Sequence, residues 1–315
     1  MMSLKIKKRN GEKQSFNPQK IYNRVKKAAK GLNVNFDEIF IKVTTSLPTE
    51  GYITTKELDK LVYEIASSYT GSHHDYSRLA SSVAISAYHK DTVESFSETM
   101  HILHTEGVIH DNLMSVLEKY GPSNIDALIN HENDYNFDYF AWKALQEMYL
   151  LKLPNGKVVE RPQHMYMRIA LWVTDSYEEA VDYYKSLSEQ RISKATPIMI
   201  NSGTLIPQLA SCVLHYNNSD SRQGLLGTLN DISTYSSDAA GIGLCMSNQR
   251  SKESRITTSG GFAGGLLKYL KIVNESLRFF NQQGRRPGSA AIYIEPVSYT
   301  HLRAHETGRN LVCRL

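Results

Sequence analysis

Residues 285–296, Arg-Arg-Pro-Gly-Ser-Ala-Ala-Ile-Tyr-Ile-Glu-Pro, constrain the fold more than any other stretch. A basic loop punctuated by proline and glycine runs directly into a short apolar strand. From about Thr196 onward the same texture repeats: short apolar strands, glycines and hydroxyl residues alternate with helices. That is the pattern of an α/β barrel or sheet. Nothing after Pro296 continues it, and the chain ends in Val297-Ser-Tyr-Thr-His-Leu-Arg and twelve further residues of a different character.

The preceding part reads differently. Residues 4–16 predict a β-hairpin about Asn10-Gly11, the pair favoured in a type I′ turn. Asn17-Pro18 supplies an N-cap and a proline for the first helical position. Ile21, Val25, Ala28 and Leu32 then recur at helical spacing, and residues 36–47 give a second short helix. Thr54 to Glu57 is a capping box opening a helix with Leu58, Leu61, Val62 and Ile65 on its apolar face. A long helix is predicted from about Tyr76 to Ile102. Residues 103–195 read as mostly helical, with a turn at Pro154-Asn155-Gly156, a helix beginning at Arg161-Pro162 and another over 177–191.

At 315 residues the chain has room for two or three domains and a sizeable core. No run of eighteen apolar residues is present, so no membrane span is expected. The basic N-terminus lacks the apolar segment of a secretory signal. A cytoplasmic protein is therefore expected. The formal net charge is +4, and the last nineteen residues, with Arg303, Arg309 and Arg314 against Glu306, account for +2 of it. Global charge gives no case for DNA binding, although a local patch for a phosphate-bearing small molecule needs only local charge. The three cysteines, Cys212, Cys245 and Cys313, form no CxxC pair, so neither a zinc finger nor a disulfide scaffold is expected. No metal is expected, and His301, His305 and Cys313 are not read as a metal site.

Lys7, Lys8 and Arg9 before a tight turn, with Lys20 one turn into the next helix, suit either a polyphosphate or a solvated basic face. No GxxxxGK[ST] loop is present. Thr196-Pro197 and Ser211 offer hydroxyls and free N–H groups to a phosphate-bearing substrate. Gly241 and Gly243 would allow a backbone to approach a ribose or base. Cys212 lies between a polar loop and an apolar strand, where a thiol can face a cavity. Read alone, it is equally a small buried residue, and Cys245 is read as a buried apolar thiol.

Two resemblances resolve these alternatives. Lys7-Lys-Arg-Asn-Gly, Phe16-Asn-Pro-Gln-Lys-Ile and Ile53-Thr-Thr-Lys-Glu-Leu-Asp resemble the ATP-cone, a regulatory nucleotide-binding domain. That likeness implies contacts to ATP or dATP from Lys8, Arg9, Gln14 (in the segment to Lys20), Lys20, Thr55 and Asp59. Glu160-Arg-Pro-Gln-His-Met, Lys194-Ala-Thr-Pro, Gln208-Leu-Ala-Ser-Cys-Val-Leu, Ala239-Ala-Gly-Ile-Gly and Gln283-Gly-Arg-Arg-Pro-Gly, in that order, resemble the large catalytic subunit of ribonucleotide reductase, most like class I.

The combined resemblance implies an α/β protein with a mostly α N-terminal part. An ATP-cone (β-hairpin plus helical bundle) would occupy 1–95 and a helical domain 96–195. The first part of a ten-stranded α/β barrel would occupy 196–296, followed by an extraneous tail, 297–315, that resembles translated adapter sequence. It implies reduction of ribonucleoside diphosphates to 2′-deoxyribonucleoside diphosphates by radical chemistry. Cys212 would be one half of a redox cysteine pair, with Thr196, Ser211 and Gly241 at the substrate. A second site for dNTP effectors would use Asp220, Ser221, Arg250, Thr257 and Thr258, with Gln282 and Arg286 carrying its signal to the substrate base. The loop Asn281-Gln-Gln-Gly-Arg-Arg-Pro is one residue shorter than the family's, and Ser237 stands where the family often has lysine.

The resemblance further implies a homodimer, an external thioredoxin or glutaredoxin, and a radical-generating small subunit that carries a metal-radical cofactor. The family's radical cysteine, the partner of Cys212 and the small-subunit contact lie beyond residue 296, so a chain ending here is expected to lack reductase activity. Cobalamin-dependent and anaerobic glycyl-radical reductases are the related readings. A cone-bearing DNA-binding regulator is the reading of another class.

Overall fold

The structure is a computed structural model that describes residues 4–206, 208–282, 284 and 286–295. Two compact units result: residues up to Ser193 with Gly203–Leu205, and Lys194–Ser202 with the residues from Ile206.

The first unit begins with the hairpin. β1 (Lys5–Lys7) pairs antiparallel with β2 (Lys13–Ser15). The turn is not type I′, which requires positive φ at two consecutive residues. Here only Gly11 is left-handed, at φ 86°. Its N–H donates to the Lys8 carbonyl at 3.0 Å, and the Asn10 side chain accepts from the Glu12 N–H at 3.1 Å. The wider turn puts Arg9 at a corner instead of in a strand. β3 (Tyr52–Thr54), absent from the sequence reading, adds in parallel to the other edge of β1.

α1 (Pro18–Ala28) starts as expected, with Asn17 accepting from the Gln19 N–H. α2 (Phe36–Thr45) follows, and the Thr54–Glu57 capping box opens α3 (Thr55–Ser68). These helices and α4 (Asp75–His89) close over Leu4, Ile21, Val25, Ile39, Val43, Val62, Ala66, Leu79 and Val83, all buried. The predicted helix from Tyr76 to Ile102 is two helices, because α4 ends at His89 and α5 (Phe96–Thr105) starts afresh under a Ser95 cap. A tertiary contact holds the chain at the break. The buried Arg161 guanidinium donates to the carbonyls of His89 and Thr92 and to the Thr92 hydroxyl, each at 2.9 Å. These donors satisfy carbonyls that the end of α4 leaves without an intrahelical partner.

The helical remainder comprises α6 (Asp111–Tyr120), α7 (Pro122–Asp126), a 3-10 helix (His131–Asn136), α8 (Tyr139–Ala144) continued by a π-helical turn (Leu145–Tyr149), α9 (Pro162–Val173) and α10 (Tyr177–Ser188). α9 is buried on all sides from Pro162 to Leu171. Its polar residues must therefore find partners inside. Arg168 meets the Glu160 carboxylate bidentately, at 2.6 and 3.1 Å, with both side chains fully buried.

The second unit runs α11 (Thr196–Asn201), β4 (Cys212–Tyr216), α12 (Arg222–Ser237), β5 (Gly241–Cys245), α13 (Leu266–Phe279) and β6 (Ala290–Tyr293). The strands form one parallel sheet in the order β4-β5-β6, each crossover made by a helix. Ile232, Ile242, Leu244, Met246, Val273 and Leu277 form the core between sheet and helices. On the opposite face Leu214, Tyr216 and Tyr293 are exposed.

Gly288, in the basic Pro-Gly motif, lies where the chain passes the ends of both helices. A Cβ there would stand 2.4 Å from the Leu277 carbonyl oxygen and 2.6 Å from Ser236 Oγ. Backbone cannot yield as a side chain can, so Gly288→Ala is expected to destabilise this unit by about 1–3 kcal/mol. A urea melt showing an unchanged midpoint would contradict that packing.

Candidate active site and nucleotide sites

Cys212 is the first residue of β4 and is exposed. Its partner in register is Gly241, whose N–H donates to the Ser211 carbonyl at 2.8 Å. A Cβ on Gly241 would lie 3.8 Å from the Cys212 sulfur, so the glycine leaves space directly beside the thiol. Ser211, Cys212 and Gly241 thus come together on the face of the sheet that the helices do not cover. Gly243 shares that face but offers no such space, contrary to the sequence reading. Leu214 and Tyr293 from the flanking strands occupy the place of its side chain, with would-be contacts of 2.6 and 2.9 Å. Cys245 is half-buried, not fully buried as expected, and its sulfur lies 3.4 Å from Ser247 Oγ.

Thr196, half-buried, is the first residue of α11. No hydrogen bond joins it to Cys212 among the described contacts. The link is indirect and was missed in the sequence. Asn201, at the other end of α11, is buried and donates its amide to the Gln208 carbonyl at 2.7 Å and the Asp238 carbonyl at 3.3 Å. One side chain therefore ties α11 to the segments that lead into both Cys212 and Gly241.

Asp220, Ser221, Arg250, Thr257 and Thr258 all line one cavity of about 1020 Å³, beside the first turn of α12. Asp220 and Arg250 bond each other, and Arg250 also donates to the Asp220 main-chain carbonyl at 3.2 Å. Buried Gln249, a further residue not foreseen, bonds the second Asp220 oxygen. Ser221 caps α12 by accepting from the Gly224 N–H at 3.1 Å. Gln282 and Arg286 pinch their loop together, the Gln282 N–H donating to the Arg286 carbonyl at 3.0 Å. The Gln282 amide also reaches the Ala240 carbonyl at 3.5 Å, one residue from Gly241.

In the first unit Arg9 is the centre of a charged cluster. It donates to Asp91 at 2.8 Å, to buried Asp59 at 3.3 Å and to the Thr55 hydroxyl at 3.5 Å. Arg24, unnoticed in the sequence, pairs with the other Asp59 oxygen. Burial, then Arg24 and Arg9, push the Lys90 ammonium below its ordinary pKa. The cations here are crowded, and an anion would relieve them. A small cavity of about 140 Å³ lies against Arg9, Lys56, Asp59 and Asp91. Lys8 and Gln14 meet at Glu12 instead, at 3.1 and 2.8 Å, and Lys20 is exposed on the first turn of α1.

Comparison with known families divides the chain into three consecutive matches. The ATP cone domain matches residues 4–91. The ribonucleotide reductase all-alpha domain matches 135–206, and the ribonucleotide reductase barrel domain matches 210–301. The two reductase domains together cover more than half the chain. The chain belongs to the ribonucleotide reductase family.

Reductase relatives cover nearly the whole chain. It is 38% identical over 304 residues to the ribonucleoside-diphosphate reductase large subunit of Monkeypox virus, covering 92% of this chain and 39% of the relative. The large subunit of Caenorhabditis elegans is 37% identical over 308 residues (93% and 39%), and that of Arabidopsis thaliana 34% over 303 residues (92% and 37%). The chain spans about 39% of the length of the first of these relatives. Two reductase domains behind the cone overturn the DNA-binding regulator as a reading. The fold agrees with the reductase assignment: an N-terminal ATP-cone, a helical domain, and a small, unclosed parallel sheet at the start of the barrel. The expected extraneous tail, 297–315, lies outside the described residues, and the barrel match runs to 301. No helix among the described residues is long and apolar enough to cross a membrane.

Proposed function

We propose that this chain is the effector-binding and substrate-positioning part of a class I ribonucleoside-diphosphate reductase large subunit. The observation that carries the reading is the exposed Cys212 thiol on the uncovered sheet face, with Gly241 leaving space beside it. In the proposed reaction the substrate ribose lies over Gly241, held by the Ser211 segment and α11. Cys212 and a second cysteine lose two electrons and two protons as they join in a disulfide, and the ribose 2′-hydroxyl leaves as water. An external thioredoxin or glutaredoxin then restores both thiols. The small subunit, with its metal-radical cofactor, supplies the radical. A homodimer in the cytoplasm is the proposed setting.

ATP or dATP is assigned to the cluster around Arg9, and a dNTP to the cavity of Asp220 and Arg250. The Gln282 contact with Ala240 is the proposed route from effector to substrate, because it ties the loop to the strand facing Cys212. Equilibrium dialysis of the chain with labelled dATP and dTTP tests both sites. Arg9→Ala should weaken dATP at the cone, and Arg250→Ala should weaken dTTP at the second site. Each loses charge-assisted bonds worth roughly 2–3 kcal/mol, or ~30–150-fold in affinity. Nucleotide binding that neither substitution affects would defeat the assignment.

A further inference from the structure

His89, His131 and Asp134 meet inside the first unit, although His89 and Asp134 are 45 residues apart and no sequence spacing announces them. His89 ends α4. His131 and Asp134 lie one turn apart on the 3-10 helix. Asp134 is fully buried, with Oδ2 2.8 Å from His89 Nε2 and 3.8 Å from His131 Nδ1. All three ligand atoms lie within 4.8 Å of one another.

The hydrogen bonding around them is unfinished in a specific way. His131 Nε2 lies 2.9 Å from the Glu94 carbonyl, which can only accept, so that nitrogen carries a proton. In the neutral ring Nδ1 is then a bare lone pair. It is buried and has no hydrogen-bond partner among the described residues, and it faces a carboxylate oxygen across a gap too wide for a hydrogen bond. Two electron-pair donors facing each other out of water are costly unless a cation lies between them.

The surroundings hold the donors in place. Gln163 Nε2 donates to the other Asp134 oxygen at 3.0 Å, and Gln163 Oε1 accepts from Tyr184 at 3.1 Å and Ser188 at 2.6 Å. This leaves Oδ2 for the site, while the Glu94 carbonyl fixes the His131 tautomer, as outer partners of metal ligands do. Both histidine side chains keep 16% exposure, which gives an ion a way in.

We propose that His89 Nε2, His131 Nδ1 and Asp134 Oδ2 bind a divalent first-row transition ion, zinc being the best match to two imidazoles and one carboxylate, with water completing the coordination. As the metal enters, the proton on His89 Nε2 passes to its own Nδ1 or to water. The ion would fasten the 3-10 helix to the end of α4, where Arg161 already binds the His89 carbonyl. This site is independent of the proposed reductase activity.

A second group, His73, His74 and Asp75, serves as the control. There His73 Nδ1 accepts from the Asp75 N–H at 3.2 Å and Asp75 Oδ2 accepts from the Asn33 N–H at 2.8 Å, so its donors are already engaged.

The test is titration of the chelator-stripped chain with zinc by calorimetry, and with cobalt by visible absorption. One tight equivalent is expected, with a cobalt spectrum free of thiolate charge transfer. His131→Gln and His89→Gln should each weaken it by about 100-fold or more, since outer-shell changes alone cost 10–100-fold. His74→Gln should leave it unchanged. If a substituted chain fails to fold, X-ray absorption of the zinc-loaded wild type decides the matter, two imidazoles without sulfur being the supporting result. Absence of stoichiometric binding, binding unchanged in His131→Gln, or sulfur in the coordination shell would overturn the site.

Discussion

Cys212→Ser, carried in a complete large subunit with its small subunit and a dithiol reductant, is expected to abolish sustained reduction of nucleoside diphosphates. A hydroxyl cannot form a disulfide, so in the proposed reaction the two electrons for the leaving 2′-hydroxyl have no source. The rate should fall at least ~1000-fold, about 4 kcal/mol of barrier. Binding of dNTP effectors should stay within about twofold, because Cys212 does not line the cavity of Asp220 and Arg250. Serine is close in size to cysteine, and the position is exposed, so stability should not change measurably. Multiple turnovers by the serine form would remove Cys212 from the chemistry.

The largest stability effect is expected at the Glu160–Arg168 pair. Among the described residues, Arg168→Met leaves a carboxylate with no exposure and only the Leu151 N–H, at 3.0 Å, to hold its charge. Breaking one side of a buried pair costs about 3–5 kcal/mol. Converting both partners, Glu160→Gln with Arg168→Met, should cost less than the single change, because no bare charge remains. Urea unfolding of the three chains measures this. A single substitution costing under about 1 kcal/mol would mean that water reaches the carboxylate.

Local signals were legible in the sequence where a few adjacent residues determine the outcome. Asn17-Pro18, the Thr54–Glu57 box and the Asn155-Gly156 turn each act within four residues, and each appears where the sequence placed it. Features made by distant partners were not legible. β3 has three residues and exists because β1 offers an open edge. The break between α4 and α5 is held by Arg161, 72 residues downstream of His89. Asn201, Arg24 and Gln249 are ordinary polar residues in the sequence, and only the fold gives them two ends to join. The same holds for Gly243, where the space left by a missing side chain was visible but not the neighbours that fill it.

Parallel pairing of β1 with β3 bears on how the cone assembles during synthesis. The β1–β2 hairpin can close within microseconds of leaving the ribosome, since its strands are neighbours in the chain. Lys5 meets Tyr52 only after two helices have been made, and closing that larger loop is slower. Until then β1 has a bare edge, a surface that invites chaperones or other nascent chains. Completion of Thr54 is the earliest moment at which this sheet can protect itself.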